Sequence, residues 1–331
     1  MTPIRYNTDG IALIMVLWVM AILIGLALTL SYISRSESKV SLRSKEYVLA
    51  EFLADGGINR AIVELWYRRQ AIKPEDETRW NIDGSFRSTE VANGTALVRV
   101  IPESAKVDLN KPNPLILKGL VNALGVDTDV QDIIVDSIQD WIDPNDLGAR
   151  LNGAKSDYYM SLKHPYKCKN APFDTIDELL MVRGVTPEIF YGTKDKKGIR
   201  DFVTVYNKTG KINVKAAPKE ILMALPNVTE DIANTIIERR KLTTFSMADL
   251  QAILPDIYIA IQNYINVPND NDDVIFTIDS IAKIPGNESY VGIKAIVELE
   301  ISTNDCQFIY YKMPEIFTLQ EKNDKSNVET K

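Results

Sequence analysis

The residues whose spacing suggests chemistry are acidic. Aspartates stand at 127, 129, 132, 136, 140, 143, 146 and 157, opposed within that stretch by Arg150 and Lys155 alone. These 31 residues carry a charge of −6, nearly the whole net −7 of the chain. Asp132, Asp136, Asp140 and Asp143, at steps of four, four and three, share one face of a helix. Like charges so placed repel by about 0.2–0.5 kcal/mol per neighbouring pair. A hard divalent cation would reverse that penalty, because carboxylate and carbonyl oxygens suit Ca²⁺. An EF-hand loop is not present: counting from Asp143, Asn145 and Gly148 fall at the third and sixth places, but the twelfth is Ala154. Counting from Asp270, the sixth place is Ile275. A solvated acidic face is the equal alternative.

Other chemistry has few carriers. His164 is the single histidine, in the loop-like SLKHPYKCKN, so any Ser-His-Asp or Cys-His apparatus would rest on it alone. Cys168 and Cys306 are the only cysteines, too few for a cysteine metal cluster or a multi-disulfide framework. Neither GxxxxGK[ST] nor GxGxxG occurs, so nucleotide-driven chemistry lacks its usual handle.

The elements that must position these residues are written in the hydropathy pattern. The 331 residues are 45% hydrophobic and 25% charged, ordinary proportions that fit about two domains. The net charge argues against a protein built to coat a polyanion. Residues 10–34 are nevertheless all uncharged. The apolar part, 11–33, would be a helix of about 34 Å, enough to span a bilayer. It is too long for a signal-peptide core, and no A-x-A-like site follows it. Flanking charges do not orient it: Arg5 and Asp9 precede, while Arg35, Lys39, Arg43 and Lys45 follow. Val40, Tyr47, Val48, Phe52, Ile58, Ile62 and Trp66 extend a helical period to residue 70, with Gly56-Gly57 a point where the helix bends or ends. TALVRVIP, 95–102, alternates like a strand, and Val203-Thr204-Val205-Tyr206 is a second short one. Near the C-terminus VIFTIDSIAKI, YVGIKAIVELEIS and CQFIYYK read as antiparallel strands with one wet side, Val291, Ile293, Ala295, Val297, Leu299 and Ile301 forming the dry face.

Two stretches echo each other: KVDLNKPNP before LILKGLVNALGV, and KINVKAAP before EILMALPNV. In each a short extended run meets a proline that starts a helix. With DELLMVRGVTPEIFYG these units resemble helix-hairpin-helix modules, and they support one alternative, a membrane-anchored DNA-binding protein of the competence type. Asn227 stands where the DNA-binding form needs glycine, and Glu230 and Asp231 where phosphate would approach. The run Arg239-Arg240-Lys241 reads as a solvated helix end.

The leader MTPIRYNTDG, ending in Gly10 directly before the apolar run, resembles type IV prepilins and type II secretion pseudopilins. Most of that family carry glutamate at the fifth mature position, which is Met15 here. A carboxylate in lipid is costly unless it meets a charge such as a neighbour's terminal amine, so its absence suits a subunit with no neighbour above it. With the LMVRGVTPEIF hairpin, GKINVKAAP and ALPNVTEDIANTIIERR in order, the chain resembles the minor pseudopilin K (GspK) family.

The resemblance implies the following. The fold is α+β, a pilin-like long N-terminal helix packed on an antiparallel sheet, with a large all-helical insertion (SAM or helix-hairpin-helix-like). The organisation is a leader 1–10, a transmembrane part 11–34, the pilin-like helix and first strands 35–105, a helical insertion 106–200, a second helical hairpin region 201–266, C-terminal strands 267–314 and a polar tail 315–331. Cleavage by prepilin peptidase falls between Gly10 and Ile11, followed by N-methylation of Ile11. Calcium belongs in the helical domain, with Asp140, Asp143, Asp146 and Asp157 as ligands, although Lys155 stands where the family has an acid. The head sits in the periplasm and the anchor in the inner membrane, a location in which Cys168 and Cys306 could pair. The partners are minor pseudopilins I and J at the filament tip and further pseudopilins along the helix, with no nucleic acid. The role is that of a non-enzymatic tip subunit in protein export.

Overall fold

The computed structural model describes residues 9–69, 80, 82–92, 94–242, 245–269, 271–283 and 290–315. The leader before Asp9 and the tail after Glu315 lie outside them. The chain opens with α1, Asp9–Arg69, a single helix of 61 residues. It is the one helix among the described residues long and apolar enough to cross a membrane. Its first half is exposed apolar surface from Leu13 to Ile33, and its second half is amphipathic. Ala50, Leu53, Ala54, Ile58, Ala61 and Leu65 recur every three or four residues and are buried, the stripe a helix lays on a sheet.

That sheet joins β1, Arg87–Val91, and β2, Gly94–Pro102, to strands from the far end of the chain. Between them lies a helical body. It begins with β3, Val107–Asp108, α2, Pro114–Ala123, α3, Thr128–Ile142, α4, Ser156–Met160, and α5, Pro187–Tyr191. It continues with β4, Val203–Thr204, β5, Ile212–Asn213, α6, Lys219–Met223, α7, Glu230–Leu242, α8, Met247–Ile253, α9, Tyr258–Ile261, and β6, Ile265–Asn266. The chain then returns through β7, Ile275–Lys283, β8, Tyr290–Glu300, and β9, Asp305–Lys312. The order β1-β2-β7-β8-β9 is antiparallel throughout. The architecture is therefore the α+β pilin-like arrangement, with the insertion entering between two neighbouring strands.

Gly56 and Gly57 do not end α1. They are where it comes closest to the sheet: a Cβ on Gly57 would lie 2.9 Å from Val98 Cγ2 and 3.1 Å from the Ala96 Cβ. On β8, Val291, Ile293, Ala295, Val297 and Leu299 face the helix and are buried, as the alternation implies. Ile301 does not join them; β8 ends at Glu300 and Ile301 is exposed. Nor does β7 have a wet side. Residues 275–282 are all buried, because its second face packs on a polar cluster at the root of the body. There Lys106 Nζ donates to Glu103 Oε1 and to Thr277 Oγ1, both at 2.6 Å.

The two sequence echoes fold alike. β3 pairs in parallel with β4, and β5 pairs in parallel with β6. Asp108 Oδ1 accepts from the Asn110 N–H at 2.7 Å, and Asn213 Oδ1 accepts from the Lys215 N–H at 2.9 Å, the same turn at equivalent positions. The helices that follow, α2 and α6, pack together, and a Cβ on Gly119 would meet the Ala224 Cα at 2.8 Å. The regions 106–200 and 201–266, separate in the sequence reading, share one hydrophobic core from Val107 to Ile265. At its C-terminus α1 reaches this body: Arg69 Nη2 donates to the Asp273 carbonyl, and Asp273 Oδ2 accepts from Asn213 Nδ2 at 2.9 Å. The C-terminal end of α1 thus meets the helical body, at the opposite end of the helix from its apolar half. Glu315, placed in the polar tail by sequence, is buried and pairs with Arg200 of the body and with Lys312.

Candidate functional site

The acidic segment folds as α3 followed by a loop that doubles back along it. Asp132 faces outward and pairs with Lys118 at 2.6 Å. Asp136 Oδ2 accepts from the Asn152 backbone N–H at 3.1 Å and from Asn152 Nδ2 at 3.2 Å. Asp140 has no solvent exposure. Its Oδ1 accepts from Arg150 Nη1 at 2.6 Å and its Oδ2 from the Arg150 backbone N–H at 3.0 Å. The approach is so close that only glycine fits at 153, where a Cβ would stand 2.8 Å from the Asp140 Cγ. Lys155, also buried, aims its Nζ at the carbonyls of Asp140 (2.7 Å) and Asp143 (2.9 Å) and at Asn170 Oδ1 (3.2 Å).

The four expected calcium ligands are not brought to one point. Asp140 is taken by Arg150, and the Asp143 Oδ2 stands 3.8 Å from the same guanidinium. Asp146 Oδ1 accepts from the Ser156 N–H at 3.3 Å. Hydrogen bonds from Asn170 and Ser156 hold its carboxyl below the usual carboxylate range. Asp157 is exposed in the first turn of α4. Among the described residues no group of three or more His, Cys, Asp or Glu could hold a metal ion. The donor set does not fit a divalent cation, because an ammonium already occupies the place where the carbonyls converge. Composition counted Lys155 only as an opposing charge; that two cations stand at fixed positions among eight acids was the available signal of their role.

The other sequence candidates fall apart in space. Cys168 belongs to the core of the helical body, while Cys306 on β9 packs against the core between α1 and the sheet. Both thiols are free, so the expected pairing is not made: the two cysteines serve different cores. Burial raises both thiol pKa values, that of Cys306 to about 11. His164 is exposed. Gly10 and Ile11 lie within α1, but their side chains are outside the described set.

The hairpin surface is built for packing. Asn227 takes φ 62, the left-handed conformation usually given to glycine, which asparagine tolerates. Glu230 and Asp231 open α7, with Glu230 paired to Lys219 at 2.5 Å. In the basic run at the end of α7, Arg239 and Lys241 stay solvated as the sequence reading has it, and Arg240 turns inward. Arg240 Nη1 donates to the carbonyls of Val214 (3.0 Å) and Ala217 (2.7 Å), and burial lowers its pKa. Arg239 pairs with Asp249 and Lys241 with Glu238.

A different surface is left open. Beyond the membrane-length stretch, α1 still exposes Val40, Leu42, Val48, Leu49, Phe52 and Val63. Beside it Tyr311 Oη donates to Asp55 Oδ1 at 3.0 Å; burial and that carboxylate push the phenol up to about 12.

The family model "Type II secretion system (T2SS), protein K" matches residues 95–207, from β2 through the whole acidic segment to just past β4. Over that stretch the chain is similar to the type II secretion protein K family. The type II secretion system protein K of Pectobacterium carotovorum subsp. carotovorum is 26% identical over 201 residues, 56% of this chain. The match spans 61% of that protein, about three fifths of its length. A putative type II secretion system protein K of Escherichia coli (strain K12) is 24% identical over 249 residues, 70% of this chain and 74% of that one. The fold is similar to a solved chain of the GspK-GspI-GspJ complex from enterotoxigenic Escherichia coli. The TM-score is 0.61 at 16% identity, covering 83% of this chain and 99% of the other. At that identity the likeness is one of fold.

Proposed function

We propose that this chain is a minor pseudopilin that sits at the tip of a type II secretion pseudopilus and acts there as a non-enzymatic cap. One observation carries the reading: the helical body adjoins the C-terminal end of α1, at the opposite end of the helix from its apolar half. Filament subunits of this build stack through their N-terminal helices. A body of this size at the distal end leaves no room for another head above it, and Met15 offers no carboxylate for a further subunit's terminal amine.

In this reading prepilin peptidase cuts between Gly10 and Ile11, and Ile11 is then methylated. The apolar part of α1 is held in the inner membrane before assembly, with the head in the periplasm. The exposed face of α1 receives minor pseudopilins I and J, and further pseudopilins follow below. The competence-type alternative is disfavoured by the two carboxylates opening α7 and by Arg240, which turns inward to the carbonyls of Val214 and Ala217. Co-expression with prepilin peptidase and with pseudopilins I and J tests the proposal. Support is a mature N-terminus at Ile11 and a ternary complex; a chain that keeps residues 1–10 and purifies alone would overturn it.

A further inference from the structure

We propose that Lys155 is a built-in cation that caps α3 and closes the 143–155 loop without a divalent metal. The last carbonyls of a helix have no intrahelical partners and carry the negative end of its dipole. Asp140 and Asp143 supply two such carbonyls at the end of α3, and both point at one nitrogen. An ammonium has three N–H donors and no acceptor. Lys155 spends all three, on these two carbonyls and on Asn170 Oδ1, while the residue retains 5% exposure. A buried charge is tolerated only when so completely paired.

The surrounding chain is arranged to keep the ammonium there. Asn170, which supplies the third acceptor, takes φ 48, a conformation that asparagine tolerates better than most residues. Cys168 N–H donates to Ser156 Oγ at 3.2 Å, holding the neighbouring strand of chain against the residue after Lys155. Arg150 completes the charge balance from the other side by pairing with Asp140. A divalent ion drawn to the same carbonyls would lie against the ammonium and be repelled. The acidic segment has therefore been closed by its own two cations, and the expectation of calcium gives way to an internal substitute.

The full chain in detergent, melted in EDTA and in millimolar CaCl2, tests this. The unmodified protein is expected to melt at the same temperature in both and to give no saturable heat on calcium titration. Lys155→Met is expected to melt several degrees lower, with no recovery in calcium. Lys155→Glu, which sets a carboxylate among the same oxygens, is expected to acquire a calcium-dependent rise in melting temperature that the parent lacks. Saturable calcium binding by the unmodified chain, or a loss of its stability in EDTA, would overturn the proposal. So would a Lys155→Met variant that melts with the parent, an arm that does not depend on Lys155→Glu folding.

Discussion

Arg99 on β2 and Asp279 on β7 are cross-strand partners whose side chains meet, Nε to Oδ2, at 2.7 Å. Asp279 is fully buried, and burial alone would raise its carboxyl pKa. The charges of Lys294 and Arg99 outweigh that and hold it below the usual value. The pair sits on the face of β7 that the alternation pattern leaves polar, beside the Glu103–Lys106 cluster.

A depressed folded-state pKa makes this carboxylate stabilising above its unfolded pKa, about 3.9, and the contribution disappears as pH falls through the folded value. The protein is expected to keep this contribution from neutral pH down to about pH 4 and to lose it below. Asp279→Asn removes the buried carboxylate that Arg99 and Lys294 share and is expected to cost about 3 kcal/mol at neutral pH. Urea unfolding of parent and variant from pH 7 downward checks both. A gap between them that does not narrow below pH 4 would contradict the assignment.

Gly57 sets two effects against each other. In a helix interior alanine is favoured over glycine by about 1 kcal/mol. At this position, however, any Cβ intrudes on Ser280, Val98 and Ala96. Packing is expected to win: Gly57→Val should destabilise by about 1–3 kcal/mol. A variant as stable as the parent in thermal melts would mean that α1 can lift off the sheet.

Gly153→Ala probes the acidic loop in the same way. The added methyl would press on the Asp140 carboxylate, which Arg150 holds in place. A loss of about 1–3 kcal/mol is expected, read in thermal melts. An unchanged melt would show that the loop is not fixed against α3.

The two thiols are expected to be free and slow. Thiolate is the reactive form, and burial raises the pKa of both. A disulfide reagent added to the native protein should react far more slowly than with the unfolded chain, where two thiols titrate without prior reduction. A chain that shows no thiol until reduced would restore the pairing of Cys168 with Cys306.

Period and punctuation carried α1, β2 and the dry face of β8 into view, because each is decided by neighbours in sequence. Proline starts did the same for the two echoes, while the matching turns at Asp108 and Asn213 emerge only in the fold. What stayed hidden depends on distant chain. Ser280 and Val98, which make Gly57 a contact rather than a break, are far from it in sequence. Thr277 and Asp279 look solvent-facing until Glu103, Lys106 and Arg99 arrive to cover them. Asp132, Asp136 and Asp140 fall at helical spacing on α3 as the sequence says, with Asp143 just past its end, but the partners of Asp136 and Asp140 are set by the reversal of the loop, which no spacing encodes.

Phe52 separates assembly from folding. It lies on the part of α1 that packs on the sheet, between the buried Leu53 and the exposed Leu49, yet is itself 69% exposed. A solvent-facing substitution away from caps and cores normally changes stability by within about 0.5 kcal/mol, so Phe52→Glu should melt with the parent. If this face receives the partner pseudopilins, the same substitution buries a charge where an aromatic anchor belongs. Aromatic anchors at interfaces are commonly worth about 2 kcal/mol or more, a loss of roughly 30-fold in affinity. Co-purification of the full chain with pseudopilins I and J, with a melting curve on the same sample, reads both quantities. A variant that keeps its melting temperature and loses the complex supports docking on this face of α1. One that keeps both moves the partner surface elsewhere on the head.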